Sequence, residues 1–214
     1  MRSLVLVLFS ALAACGRAGE AGAAPAGQRL QLAFVTNCVA EFWTVAGFGV
    51  EAGKREADVD VSVHLPPNGT AEEQKRILED LLGRGVQGIA VSPKDPANMT
   101  PLLDKVAART LLVTHDSDAP ASQRLCYIGM DNYEAGRQCG QLLAEALPNG
   151  GPIVLLVGTL DQDNARRRRQ GLIDELLGRS RDPARFDPQD AVLKGERFEI
   201  RATFTDQFDR QKGK

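Results

Sequence analysis

The chain has 214 residues, enough for one large domain or two small ones. Apolar residues make up 43% and charged residues 25%, an ordinary balance for a folded globular protein. A net charge of −2 excludes a large basic nucleic-acid surface, and only two histidines, His64 and His115, argue against histidine-based metal sites and triads.

Met1-Arg2 followed by the apolar stretch Leu4–Leu12 has the layout of a secretory signal and is too short to span a bilayer as a mature helix. Leu12-Ala13-Ala14-Cys15 resembles the bacterial lipobox, in which the cysteine is lipidated and becomes the mature N-terminus. Residues 1–14 are therefore expected to be a signal peptide. Residues 15–28, Gly/Ala-rich and aperiodic, are expected to be a flexible tether anchored through Cys15. The other cysteines, Cys38, Cys126 and Cys139, are odd in number and match no zinc spacing. They read as free thiols, although export leaves one disulfide open.

Leu30–Thr36 is a short apolar run and reads as a buried strand. The loop Asn37–Glu41 follows, then a helix from Phe42 to about Ala57 that opens on the aromatic pair Phe42 and Trp43. In open α/β sheets the ligand crevice lies at the carboxyl ends of the strands. An amide and two aromatics thus sit where a small polar ligand would be held; packing of the two rings on the sheet is the other reading. No glycine-rich phosphate loop is present here.

Val59–Leu65 alternates as a strand. Thr70 and Glu73 form a capping box for a helix with Ile77, Leu78, Leu81 and Leu82 on one face. Gly88–Val91 is the third strand. Pro101 after Thr100 suits the first turn of the next helix. Thr110–Thr114 is the fourth strand, running into His115-Asp116-Ser117-Asp118; His115 reads first as a packing or surface residue and second as a site-lining one. Cys126–Met130 is the fifth strand, and Asp131-Asn132 caps the helix Tyr133–Leu147.

The pattern restarts with strand Ile153–Val157, a polar loop, helix Ala165–Leu177, a long loop or small insertion over Gly178–Glu196, and strand Phe198–Thr205. Alternating strands and helices imply a doubly wound parallel sheet, and the restart implies a second. The expected domains are an N-terminal α/β lobe over 29–131 and a partial C-terminal α/β lobe over 132–214. Two strands are too few for a buried parallel sheet. The second lobe is thus expected to be incomplete, and these residues alone are expected not to hold a ligand tightly.

The order and spacing of several stretches resemble the periplasmic sugar-binding proteins of ABC transporters, ribose/galactose-type. These are Asn37 with Phe42-Trp43, Val86–Pro93, Thr114–Asp118, Tyr127–Arg137, Ala165–Gly171 and Phe208–Gly213. The resemblance implies the type I periplasmic binding protein fold: two Rossmann-like lobes on a hinge, a monosaccharide between them, and closure recognised by permease subunits. By motif position Asn37 should hydrogen-bond sugar hydroxyls, Phe42 and Trp43 should stack on the ring, and Asp116 should accept two hydroxyl donors. Arg168 should point into the cleft out of the run Arg166–Arg169, otherwise a solvated face, and Phe208 is the aromatic of the last motif. With the lipobox and the composition, the resemblance leads to an expected lipid-anchored monomer in the periplasm or at the cell surface, with no cofactor, metal, nucleic acid or catalysis. Three departures bear on the identity of the sugar. The Asn37–Trp43 loop is longer than in ribose binders, Ser117 follows Asp116 where arginine is usual, and Gly178–Glu196 is long.

Three other readings compete. A repressor effector domain needs a helix-turn-helix ahead of the fold, where a signal and tether stand instead. An enzyme needs a nucleophile–base pair or metal cluster that is not visible. A sugar sensor feeding a membrane receptor shares the same binding chemistry and differs only in partner.

Overall fold

The computed structural model describes residues 29–209, 211 and 212. The expected signal peptide, tether and lipidated Cys15 lie outside the described residues. The first sheet contains β1 (Gln31–Val35), β2 (Asp60–His64), β3 (Gly88–Val91), β4 (Leu111–His115) and β5 (Cys126–Ile128) in the order β2-β1-β3-β4-β5. Every pairing is parallel. The connecting helices are α1 (Glu41–Ala57), α2 (Ala71–Arg84) and α3 (Pro96–Ala107).

The helix starts follow capping chemistry. Thr70 and Glu73 make the expected capping box at α2. α3 starts five residues before the expected Pro101, because Asp95 caps the Asn98 amide at 3.2 Å and Pro96 occupies the first turn. Pro101 therefore sits inside the helix, where it removes one backbone donor. Ala33, Val35, Ile89, Val91 and Leu112 of the strands pack on Leu78, Leu81, Leu82, Met99, Leu103 and Val106 of α2 and α3, forming the main core.

Helix α4 (Asn132–Ala146), capped by Asp131, leads to the second sheet. β6 (Gly151–Val157) pairs parallel with β8 (Phe198–Thr205). A short β7 (Leu193–Lys194), inside the stretch read as a loop, pairs antiparallel with β8. The period signal misses β7 because two residues carry no alternation. Helix α5 (Asp163–Leu176) crosses α4 so closely that a Cβ on Gly171 would fall on the Tyr133 carbonyl oxygen, and one on Gly136 on that of Arg168. Ile153, Phe198 and Ile200 pack on Ile173 and Leu176 of α5. The opposite face of this sheet presents Val154, Leu156 (78% exposed) and Phe204 to solvent. Cys38, Cys126 and Cys139 are free thiols.

Candidate functional site

A cavity of about 1200 Å³ lies between the sheets, at the carboxyl ends of β1 and β4 and beside the N-terminus of α5. All six residues assigned to the site from the sequence, Asn37, Phe42, Trp43, Asp116, Arg168 and Phe208, line it.

Asp116 is the centre of the first-lobe wall. It follows β4 directly and adopts φ 58°, a left-handed conformation that aspartate tolerates better than most residues. Such strain is commonest at functional sites. Its backbone is clamped by the Asp116 amide donating to the Ile128 carbonyl (3.1 Å) and by the Tyr127 hydroxyl donating to the Asp116 carbonyl (2.8 Å). The carboxylate accepts from the Ser92 hydroxyl (3.1 Å) and from the Asn164 amide of α5 (3.3 Å). Burial raises its pKa, opposed by these hydrogen bonds and by the Arg168 charge.

A relay of donors leads to that carboxylate. The Trp43 indole N–H donates to Asn37 Oδ1 (3.1 Å), Asn37 Nδ2 donates to Ser92 Oγ (3.0 Å), and Ser92 donates to Asp116. Each polar group is aimed by the one before it, and buried chains of this kind are mutually reinforcing. The relay also ties Asn37 to its neighbours: its buried amide joins Trp43 and Ser92, and one N–H and one oxygen lone pair remain on a residue that lines the cavity. Ser92 was not assigned to the site from sequence. Ser92 lies in the stretch Val86–Pro93, but nothing in that stretch gives it a role; the neighbouring strand ends of β1 and β4 reveal it.

The aromatic pair also divides. Trp43 is 4% exposed and meets Phe34 and His115 edge-on, at 6.1 and 5.4 Å between ring centroids. Phe42, 60% exposed, meets Trp43 edge-on at 4.8 Å and is the ring presented at the lip. Of the two rings expected to stack on a ligand, Phe42 is the exposed one and Trp43 lies behind it, and both line the cavity. His115 stacks on Phe34 at 4.2 Å with 15° between the planes and lines the cavity. Burial holds its pKa down to about 4, so the imidazole is neutral.

The second lobe brings Asn164, Arg168 and Phe208. Four successive arginines take four environments because successive helix positions turn by about 100°. Arg166 stacks over Phe186 at 4.1 Å, and Arg167 pairs with Asp163 at 2.6 Å. Arg168 faces the cavity with its guanidinium held by Asn132 Oδ1 at 2.7 and 3.2 Å. Arg169 reaches the cavity wall too, but its guanidinium is spent on Thr203 and on the carbonyls of Asp187 and Pro188. Phe208, at φ 61°, carries the Lys94 ammonium 4.7 Å from its ring centre. Burial lowers the pKa of Lys94. Lys94–Phe208 and Asp116–Asn164 are both contacts across the cleft.

A cleft between two α/β lobes, with polar groups at the strand ends, is the place where open α/β folds hold their ligands. Residues 33–203 match the periplasmic binding protein domain family, and the chain belongs to that family. A D-ribose/D-allose-binding protein of Pseudomonas aeruginosa is 25% identical over 163 residues, covering 70% of this chain and 50% of that protein. The chain thus spans about half the length of this curated relative. Among solved structures, an ABC transporter solute-binding protein from Burkholderia graminis in complex with D-arabinose is 24% identical with a TM-score of 0.75, covering 86% of this chain and 58% of that one. The fructose-binding periplasmic domain of a hybrid two-component system is 18% identical with a TM-score of 0.74, covering 86% of this chain and 56% of that one.

Proposed function

We propose that this protein captures a monosaccharide in the cleft, leaves it chemically unchanged, and delivers it to the permease of an ABC sugar transporter. The observation that carries the reading is the buried relay Trp43–Asn37–Ser92–Asp116 facing Arg168 across the cavity. A fixed carboxylate accepts ligand O–H groups through charge-assisted bonds. A planar guanidinium donates to neighbouring hydroxyl oxygens. The exposed face of Phe42 suits the apolar C–H face of a sugar, and Phe208 offers a second aromatic surface at the lobe facing it. The family match and the sugar named for each of the three relatives support the same ligand class. The proposal includes a monomer anchored through lipidated Cys15 in the periplasm or at the cell surface.

Calorimetry of the full chain with pentoses and hexoses tests the ligand class. Asp116→Ala should weaken binding by roughly 2–4 kcal/mol, because it leaves several buried ligand donors unpaired. A change below about 0.5 kcal/mol, the scale of an ordinary surface substitution, removes Asp116 from the site. Lipidation is tested by fatty-acid labelling in cells: label that persists in Cys15→Ser refutes the anchor. A second reading, delivery of sugar occupancy to a membrane receptor, is favoured by the two-component neighbour of the same fold. In-cell crosslinking from the cleft rim separates the two: a permease subunit supports transport, and a sensor protein supports signalling.

A further inference from the structure

The chain passes from the first sheet to the second lobe through residues 129–131, between β5 and α4. Two side chains meet over this crossing, Tyr127 of β5 and Asn132, the first residue of α4. The Tyr127 hydroxyl donates to the Asp116 carbonyl at 2.8 Å, with the Met130 carbonyl farther off at 3.2 Å. Asn132 Nδ2 donates to that same hydroxyl at 3.2 Å and to the Met130 carbonyl at 3.3 Å. Asn132 Oδ1 accepts from Nε and Nη2 of Arg168 at 3.2 and 2.7 Å. A continuous series thus runs Arg168–Asn132–Tyr127–Asp116. It joins the two walls of the cavity, although neither Tyr127 nor Asn132 lines it.

The series has no slack. Asn132 is 4% exposed, and its two N–H groups and both lone pairs of its oxygen are taken. Arg168 has only donors to offer, so the amide oxygen must face it and the amide nitrogen must face Tyr127. Burial raises the pKa of the Tyr127 phenol, which therefore keeps the proton that it donates. The acceptor of that proton is the backbone of Asp116, whose φ of 58° has to be held by its surroundings. A Cβ on Gly129 would fall on the Tyr127 hydroxyl, so glycine there is what lets the ring lie over the crossing.

We propose that Tyr127 and Asn132 form a clasp on the crossing between the lobes and are positioning residues that aim Asp116 and Arg168 as a pair; this rests on the binding roles given to those two residues above. The carboxylate and the guanidinium are then spaced at the crossing itself, before a ligand arrives. Groups held in place beforehand lose less freedom on binding, which raises affinity. The consequence is specific: loss of the Tyr127 hydroxyl should be felt at Arg168, which Tyr127 does not touch.

The test uses the full chain. Tyr127→Phe removes the bridging hydroxyl alone. The nitrogen NMR signal of Arg168 Nε, assigned by its loss in Arg168→Lys, is followed without ligand and should shift in Tyr127→Phe. Calorimetry then uses the tightest binder of the pentose and hexose panel. Tyr127→Phe should weaken binding about fivefold, the scale of one hydrogen bond. In an Arg168→Ala background the same substitution should cost only about twofold. The mirror pair is Asn132→Ala, which disturbs Arg168 directly and Asp116 only through Tyr127. Its effect should likewise shrink in an Asp116→Asn background, and it decides the matter if Tyr127→Phe does not fold. An unmoved Arg168 signal overturns the inference. So does the same loss of affinity in both backgrounds, within about 1.5-fold. A lower melting temperature with signal and affinity unchanged would place both residues in packing alone and overturns it too. If the unsubstituted chain binds no sugar, the sugar reading fails, and the clasp stands or falls on the Arg168 signal.

Discussion

The two lobes are held together by different physics. Twelve buried apolar residues from β1, β3, β4, α2, α3 and the segment after β4 make the first core. The second has five, and much of what surrounds them is charged. Asp174 of α5 is fully buried and accepts from the Tyr133 hydroxyl (2.7 Å), Gln170 (3.0 Å) and Arg185 (2.9 Å). Gln170 and Arg179 both reach Asp187, at 2.7 Å each, and so tie the segment after α5 back onto the helix. Apolar burial is non-directional and tolerant, whereas a buried ionic network is stable only when every member is satisfied. The site divides along the same line. The first lobe supplies a carboxylate aligned by a buried relay. The second supplies Arg168, which depends on the α4–α5 crossing for its position through Asn132.

The largest effect is expected where that network is broken. Asp174→Ala strands Tyr133 and Gln170 in the interior and should cost the second lobe about 3–5 kcal/mol. Leu78→Ala empties a site in the first core and should cost about 3 kcal/mol. Amide hydrogen exchange reads each lobe separately. The comparison predicts that Asp174→Ala lowers protection in β6 and β8 while sparing β1, β3 and β4, and that Leu78→Ala does the reverse. Equal loss in both lobes for either variant would show that they unfold as one unit.

The sequence made the first lobe legible almost throughout, because continuous apolar runs alternate with helices of 3.6-residue period. The capping box at Thr70 and the cap at Asp131 marked two helix starts in advance. The start of α3 was obscured by two competing prolines, and the Asp95 cap decides it. At the site, Asp116 and Arg168 line the cavity, as the family resemblance implied by motif position. Ser92, Gln162 and Asn164 were not readable. Their place in the site depends on strands and a helix distant in sequence converging. The aiming role of Asn37 has the same cause: its partner Ser92 is 55 residues away. Identical letters in the run Arg166–Arg169 say nothing of which environment each will meet.

Acid should act through the first lobe's side of the cleft. Burial lowers the His115 pKa from 6.5 to about 4. The folded state then binds fewer protons than the unfolded chain between those values. Stability is therefore full above the unfolded pKa and declines as pH falls from about 6.5 to about 4, by about 3 kcal/mol. His64, also lowered by burial, adds in the same direction. The carboxyls of Asp116 and Asp163, raised by burial, work the other way as they take up protons. Urea unfolding at about pH 7 and about pH 5 should show the decline in the unsubstituted protein and a shallower one in His115→Phe. Equal slopes would show that His115 is not the group responsible.

The smallest effect tests whether the first lobe's relay is one unit. Trp43→Phe keeps an aromatic ring against Phe34 and His115 and removes the N–H that Asn37 accepts together with part of the buried ring system, a packing loss that the double-variant comparison cancels. The lost bond is worth about 1 kcal/mol. If the bonds act in series, part of that loss is transmitted. Asn37 is freed to turn, Ser92 loses a fixed donor, and the Asp116 carboxylate is held less firmly. Ser92→Ala breaks the same series one step later. A relay predicts that the double variant loses less than the two single variants together, by about 0.5 kcal/mol or more, in stability and in ligand affinity. Losses that add to within about 0.3 kcal/mol would mean that Trp43 is only packing and that Asn37 holds its position without it. Asp116 would then be aligned by Ser92 and its strained backbone alone, and the contrast between an aligned first-lobe wall and a second-lobe wall hung on one helix crossing would shrink to that single residue.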